Sequence, residues 1–316
     1  MSPFPPERRA DGLAYADLGR LLALEVPARR LGARITRLAA ASLIGQHTSA
    51  LRGRGLDFQE LRHYRPGDDL RRLDSRATLR HGTPLVRSFS EERERPALIW
   101  VDQRMDMFFG SRRYLKSTLA AELGALLAWS TLHAGDRVGG LVFGDQDEER
   151  LRPTRNPAGI RAFCAALVRH NHALAADGEP ANGARLNQLL EALLGVPERG
   201  GQLYLVSDFS GCDERTRDLL QQLRQRHRIL ALQVLDPLAL QLHGDTPLNL
   251  SDGNAWLDLD LRRKAVRHPV QAYLRGRLDA VAEHLRLAQV PLLRLSTEQA
   301  PLDQLRRELL RPGVSA

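Results

Sequence analysis

The chain predicts an α/β fold in which a mostly parallel sheet is doubly wound by helices and preceded by an N-terminal helical and β-rich extension. Two continuous apolar runs, within 97–102 and 202–208, each stop on a carboxylate, Asp102 and Asp208. Unbroken apolar runs of that length mark strands covered on both faces. Leucines at helical spacing fill the segments between the runs, and strands alternating with helices give a parallel sheet. Ligands of such sheets gather beyond the carboxyl ends of the strands, so Asp102 and Asp208 stand where a site would be.

Residues 1–50 form a Pro- and Arg-rich lead with helical patterning at 15–24 and 35–44, expected to dock on the rest of the chain. Residues 51–96 are short-patterned and turn-rich, which predicts an irregular β arm containing a Pro66-Gly67-Asp68-Asp69 turn and a strand at 85–90. Pro66 presets the turn and the aspartates bond local amides, so Asp68, Asp69 and Arg71 read either as the lock of a tight corner or as a partner-binding edge.

From 97 to 316 the α/β domain runs in order. A helix at 111–133 exits at Gly135, a strand follows at 138–143, and a polar hairpin at 145–150. Helices near 157–169 and through 186–194 precede the Asp208 strand, and a helix at 213–226 leads to a strand at 229–235. Asp236-Pro237 ends that strand and opens a hairpin insert near 241–262. A helix from Pro269 to about 287, a strand at 290–295 and a helix at 301–310 complete the sheet.

The stretch 53–74 (GRGLDFQELRHYRPGDDLRRLD), followed by Asp102, Gly135-Asp136-Arg137 and Ser207-Asp208-Phe209, resembles the bacterial domain of unknown function 58 family over roughly residues 50–240. Members of that family resemble von Willebrand factor A domains and are often encoded beside MoxR-type AAA+ ATPases. The resemblance implies a metal-ion-dependent adhesion site built from an Asp-x-Ser-x-Ser loop, a distant Thr and a later Asp. Asp102 matches the first position and Asp208 the last, but Arg104 and Asp106 replace the two serines and Ala181-Asn182-Gly183-Ala184-Arg185 stands where the Thr would fall. Arg104 would then be a fixed cation against the carboxylates, and a candidate for meeting a partner's carboxylate. A Mg²⁺ ion held by Asp102, Asp106 and Asp208 is the alternative. Either Asp could also merely cap a following helix.

Composition narrows the classes. With 316 residues, 43% hydrophobic, the chain can bury a large core. The longest apolar stretch, 119–129, is broken by Glu122 and falls short of the roughly 20 residues that span a bilayer. The start has no apolar signal core, and Cys164 and Cys212 are too few and too far apart for a disulfide framework or zinc site, which predicts a cytoplasmic protein. Net charge is +8, but the arginines of 52–95 alternate with Asp and Glu, so nucleic-acid binding is kept as an alternative only.

Enzyme signatures fail. Gly110 to Ser117 follows a strand and opens a helix like a P-loop, but Leu115 stands where the second glycine belongs, leaving Lys116 as a surface or crevice-edge residue. Ser207 lacks the preceding glycine of a nucleophile elbow, and His63, His81 and His133 read as solvated or hydrogen-bonded. The expectation is a non-enzymatic protein-interaction adaptor that works with a MoxR-type AAA+ ATPase in protein maturation or complex assembly. A Mg²⁺-dependent phosphoester hydrolase using Asp102, Asp106 and Asp208 is the alternative.

Overall fold

A computed structural model describes residues 12–31, 57–64, 73–90, 96–175, 183–195, 201–242, 248–251 and 256–310. The chain divides into a large unit, residues 1–44 with 95–316, and a small one, 45–94. The expected helix at 35–44, the turn with Asp68 and Asp69, and Arg71 lie outside the described residues.

The large unit begins with a strap carrying two short helices, α1 (Leu18–Ala23) and α2 (Glu25–Ala28). In the small unit, β1 (Asp57–His63) pairs antiparallel with β2 (Leu85–Ser90), the second of these as the sequence predicts. Between them sits a helix the turn-rich pattern did not suggest, α3 (Ser75–His81). Its signals are short-range: the Asp74 carboxylate accepts from the Ala77 amide, and Gly82 ends the helix in the left-handed region at φ 71°.

The rest of the large unit alternates strand and helix: β3 (Ala97–Asp102), α4 (Lys116–His133), β4 (Val138–Phe143), β5 (Glu148–Thr154), α5 (Pro157–Ala173), α6 (Arg185–Leu194), β6 (Gln202–Ser207), α7 (Glu214–Arg224) and β7 (Arg228–Leu235). A two-stranded insert, β8 (Leu248–Ser251) with β9 (Trp256–Leu259), precedes α8 (Lys264–Leu287), β10 (Leu292–Ser296) and α9 (Pro301–Leu310). The main sheet runs β10-β7-β6-β3-β4-β5 and is parallel except for β5, which returns antiparallel along the edge beside β4. That edge strand extends the polar hairpin expected at 145–150.

Both faces of the sheet are covered, and the period of two sorts the side chains between them. Ile99, Val101, Tyr204, Val206, Leu230 and Leu232 join α4 and α5 in one core, whereas Trp100, Leu203, Leu205 and Ile229 join α6, α7 and the end of α8 in the other. Six consecutive buried residues in β3 and five in β6 are the origin of the unbroken apolar runs. The chain leaves β3 toward β4 on one side while β6 lies on the other, so the loops after β3 and β6 part and open a crevice at the carboxyl edge.

Helix α4 is buried from Ser117 through Thr131, because the strap covers the side away from the sheet. The Trp129 indole donates to the Leu21 carbonyl at 3.2 Å, Thr118 Oγ1 to Ala14 at 2.8 Å, and Arg20 pairs with Glu122 at 2.5 Å. Glu122, the charge that interrupts the longest apolar stretch, is thus a buried anchor for the strap. No helix among the described residues is long and apolar enough to cross a membrane.

Two boundaries differ from expectation for physical reasons. Helix α4 starts at Lys116, not 111, because 110–115 is tied elsewhere. Ser111 bonds Asp236 through its amide (2.7 Å) and hydroxyl (2.5 Å), the Tyr114 amide donates to Thr297, and the Leu115 amide to Leu13. Gly110 permits the fold-back, since a Cβ there would meet the Tyr114 carbonyl at 2.1 Å. Helix α8 starts at Lys264 and carries Pro269 inside it, where the proline had marked its start.

Candidate functional site: a cation-paired crevice at the carboxyl edge

Asp102 ends β3 with no solvent exposure, and Arg104, two residues on, is equally buried. The chain turns back immediately, so the Arg104 amide donates to Asp102 Oδ1 at 2.9 Å while its guanidinium grips the same carboxylate. Nε lies 3.1 and 3.2 Å from the two oxygens and Nη2 2.8 Å from Oδ2. Nη2 also donates to the Ser210 carbonyl at 3.1 Å, linking this loop to the one after β6. Burial opposes the guanidinium's charge, yet Asp102, with Asp208 and Asp106 beyond it, raises its pKa above the ordinary value.

The β6 loop supplies the other half. Ser207 Oγ donates to Asp102 Oδ2 at 2.6 Å and accepts from the Phe209 amide at 2.8 Å. Asp208 accepts from the Ser210 amide at 2.9 Å and meets Lys116 Nζ at 2.5 Å. Burial on its own would raise the Asp208 carboxyl, but Lys116, the Ser210 amide and Arg104 outweigh it and hold the group below the usual carboxylate range. Phe209 takes a left-handed conformation, φ 59°, which costs a non-glycine residue free energy and places its ring in the core beneath the crevice. Gly211, φ 81°, lets the Gly183 backbone approach so closely that a Cβ would lie 2.4 Å from its carbonyl.

Gln103 and Asp145 brace the first loop from behind. Asp145 Oδ2 accepts from the Met105 amide at 2.7 Å. Gln103, nearly fully buried, donates from Nε2 to the Ser117 carbonyl at 2.9 Å and accepts from Asn171 Nδ2 at 3.0 Å. Asn171 in turn accepts from the Ala16 amide at 2.7 Å, so a buried polar relay runs from the strap to the loop between Asp102 and Arg104.

The predicted site residues therefore divide. Asp102, Arg104 and Asp208 converge, with Asp106 near enough to raise the Arg104 pKa through its charge. Arg104 has its guanidinium turned inward with zero side-chain exposure, so in this arrangement it offers nothing to a partner's carboxylate. Of the two cations paired with these carboxylates, Lys116, 14% exposed, is the one with access to solvent, and the failed P-loop reading left it at the crevice edge without a counter-ion. Among the described residues no three His, Cys, Asp or Glu side chains are grouped to hold a metal ion. The donor set fits Mg²⁺ poorly, because the oxygens of both carboxylates already accept from Arg104, Ser207, Lys116 and the Ser210 amide. A recess of about 280 Å³ lies elsewhere, at the amino end of β4, lined by Gly139, Leu151, Arg152, Gly159 and Phe163.

Sequence reasoning named Ser207 in the family motif and Lys116 at the crevice edge but gave neither a role in the site, and it missed Gln103 and Asn171. Two signals were readable: Ser207 is a polar residue closing an apolar run, and Lys116 is one of only two lysines in an arginine-rich chain. The reach of Asn171 to Gln103, 68 positions away, has no local signature.

Two mycobacterial proteins, the uncharacterized protein Mb1516 of Mycobacterium bovis and the uncharacterized protein Rv1480 of Mycobacterium tuberculosis, are each 29% identical to this chain over 262 residues, covering 81% of it and 80% of their own length. The family described as "Protein of unknown function DUF58" matches residues 60–277, a span that holds both carboxylates, both internal cations and the whole crevice between them, and the chain belongs to that family.

Proposed function

We propose that the protein is a non-enzymatic interaction adaptor of von Willebrand factor A-like architecture whose metal-ion-dependent adhesion site is degenerate. In this reading it works with a MoxR-type AAA+ ATPase in protein maturation or complex assembly. One observation carries the reading: each carboxylate at the switch point has an intramolecular cation, Arg104 for Asp102 and Lys116 for Asp208. A bound metal in such a crevice would hold an open position for a partner's carboxylate. Here a fixed guanidinium supplies the charge that keeps the loops in place, and recognition does not require the ion. The reading of no catalysis is supported by how the polar groups are used. Ser207 Oγ gives its proton to a carboxylate already bound by Arg104, whereas an activated nucleophile needs a base free to take that proton.

The test is binding of the host's own MoxR-type ATPase to the immobilised protein, without nucleotide, in EDTA and in Mg²⁺. Equal capture in both is expected. No capture in either condition, or capture that needs Mg²⁺ and vanishes with Asp208→Asn, would sink the proposal.

A further inference from the structure

Helix α8 is 24 residues long, and its buried positions are Val281 and Leu285, both in its last third. Everything from Lys264 to Ala280 is half-buried or exposed. At 100° per residue Val266 and Val270, both half-buried, and the exposed Tyr273 and Arg277 fall within about 60° of one another, making one continuous stripe along that portion, whose Gln271 side is tied to residues 239–242. Tyr273 is 65% exposed, an unusual setting for an aromatic side chain. Arg277 ends the stripe at the crevice, where its Nη2 donates to Ser210 Oγ at 2.7 Å, one residue pair away from Asp208 and Lys116. The other end carries an excess of positive charge: Arg262, Arg263, Lys264 and Arg267 surround the first turn, which has no acidic residue and no side-chain cap, and one carboxylate just before it, Asp260, pairs with Arg262 at 2.8 Å and Arg263 at 3.6 Å. The cations in excess of Asp260 oppose the positive helix terminus and cost stability.

We infer that this stripe of α8 is a docking surface for an acidic amphipathic helix of a partner protein, laid along Val266, Val270 and Tyr273 with its carboxylates against Arg277 at one end and the basic first turn at the other. Helix on helix is the fitting geometry, because a ridge of residues four apart packs into the groove of another helix. Tyr and Arg together are the anchors that protein interfaces favour. A membrane-surface helix would carry Trp, Phe or Leu on its apolar face, whereas between Lys264 and Ala280 there is no Trp or Phe and no exposed Leu, and the exposed positions include Pro269 and Asp279 beside Ala265, Ala272, Gly276 and Ala280. The inference rests on the adaptor reading for the existence of a partner and adds the surface and the partner's chemistry.

The test uses the full chain and two fluorescent 18-residue helical peptides with the same leucine stripe, one flanked by glutamates and one by lysines, followed by anisotropy. Tyr273→Ala and Arg277→Glu change exposed residues, and unchanged melting temperatures confirm that both variants fold. Saturable, salt-weakened binding of the glutamate peptide is expected, absent for the lysine peptide and at least about tenfold weaker in either variant. No binding of the glutamate peptide, equal binding by the variants, preferential binding of phosphatidylserine vesicles, or self-association lost with Tyr273→Ala would each overturn it. The same variants run in the ATPase capture separate the two proposals. Capture indifferent to both variants rejects this surface and leaves the adaptor reading standing. Variant-sensitive peptide binding without any ATPase capture does the reverse.

Discussion

Arg104→Met removes the cation that neutralises Asp102 while keeping most of the side chain's volume. The Asp102 carboxylate has no exposure and takes three of its hydrogen bonds from the guanidinium. It would keep the Ser207 hydroxyl and the backbone amide of position 104. Stripping one partner from a buried pair typically costs about 3–5 kcal/mol, and the two retained donors place this site near the low end, about 3 kcal/mol. For a unit of this size each kcal/mol moves the melting temperature by about 2–4 °C, so the expected loss is roughly 6–12 °C. Urea unfolding should show a lower midpoint at an unchanged m-value. The cause is the stranded charge, so the double variant Asp102→Asn/Arg104→Met should recover most of the loss. A single variant that loses under about 1 kcal/mol, or a double variant no better than the single, would refute the account of a built-in cation.

Other consequences follow from the same contacts. Lys116→Met should cost about 1.5–3 kcal/mol at neutral pH, the scale of a hydrogen-bonded charge pair. Because Lys116 holds the folded Asp208 carboxyl below its ordinary value, that contribution is complete above about pH 4 and lost as pH falls through the folded value. Melting curves from pH 7 down to pH 3 should therefore show the gap between wild type and variant closing, and a gap independent of pH would reject the pair. Asn171→Ala would strand the Ala16 amide and Gln103 Oε1, at about 1–3 kcal/mol for each buried group, and hydrogen exchange should accelerate at Ala16 before it does at Val101. Gly211→Ala should cost at least about 1–2 kcal/mol for the left-handed backbone alone, more with the Gly183 carbonyl in the way, and a melting temperature within a degree of wild type would contradict that geometry.

The parallel strands were legible because burial on both faces leaves an apolar run that no other element produces at that length. The runs at Ala97–Asp102 and Gln202–Ser207 pair directly with each other, Ile99 opposite Tyr204 and Val101 opposite Val206. Asp102 and Asp208 were legible for the same reason, being polar residues at the point where burial stops. Helix boundaries were less so wherever a distant partner decided them: the start of α4 depends on Asp236, Thr297 and Leu13, each bonded to a residue of the loop more than a hundred positions away. The strap was readable as helical and as a docking segment, but not where it docks, since side chains of α4 and α5 far along the chain meet its backbone carbonyls and amides. Arg104 was legible as a counter-charge because it lies two residues from Asp102, whereas Lys116, 92 positions from Asp208, needed the fold.

Magnesium decides between a built-in cation and a vestigial one. A ligand that binds only the folded state at one hundred times its dissociation constant stabilises by about 2.7 kcal/mol, which here means roughly 5–10 °C. Wild type, with both carboxylates already paired, should melt within about a degree of the same temperature in 10 mM MgCl₂ and in EDTA. Arg104→Ser combined with Asp106→Ser restores the two serines expected at those positions of an adhesion-site loop and frees the Asp102 oxygens now held by the guanidinium. That variant should be less stable than wild type in EDTA, because it strands Asp102, and should regain part of the loss in Mg²⁺. The size of the regain measures how far Lys116, still on Asp208, obstructs the ion, and Lys116→Met added to the variant should enlarge it. A wild type stabilised by several degrees in Mg²⁺ would show that the carboxylates bind the ion despite Arg104, and partner binding would then have to be sought with metal present.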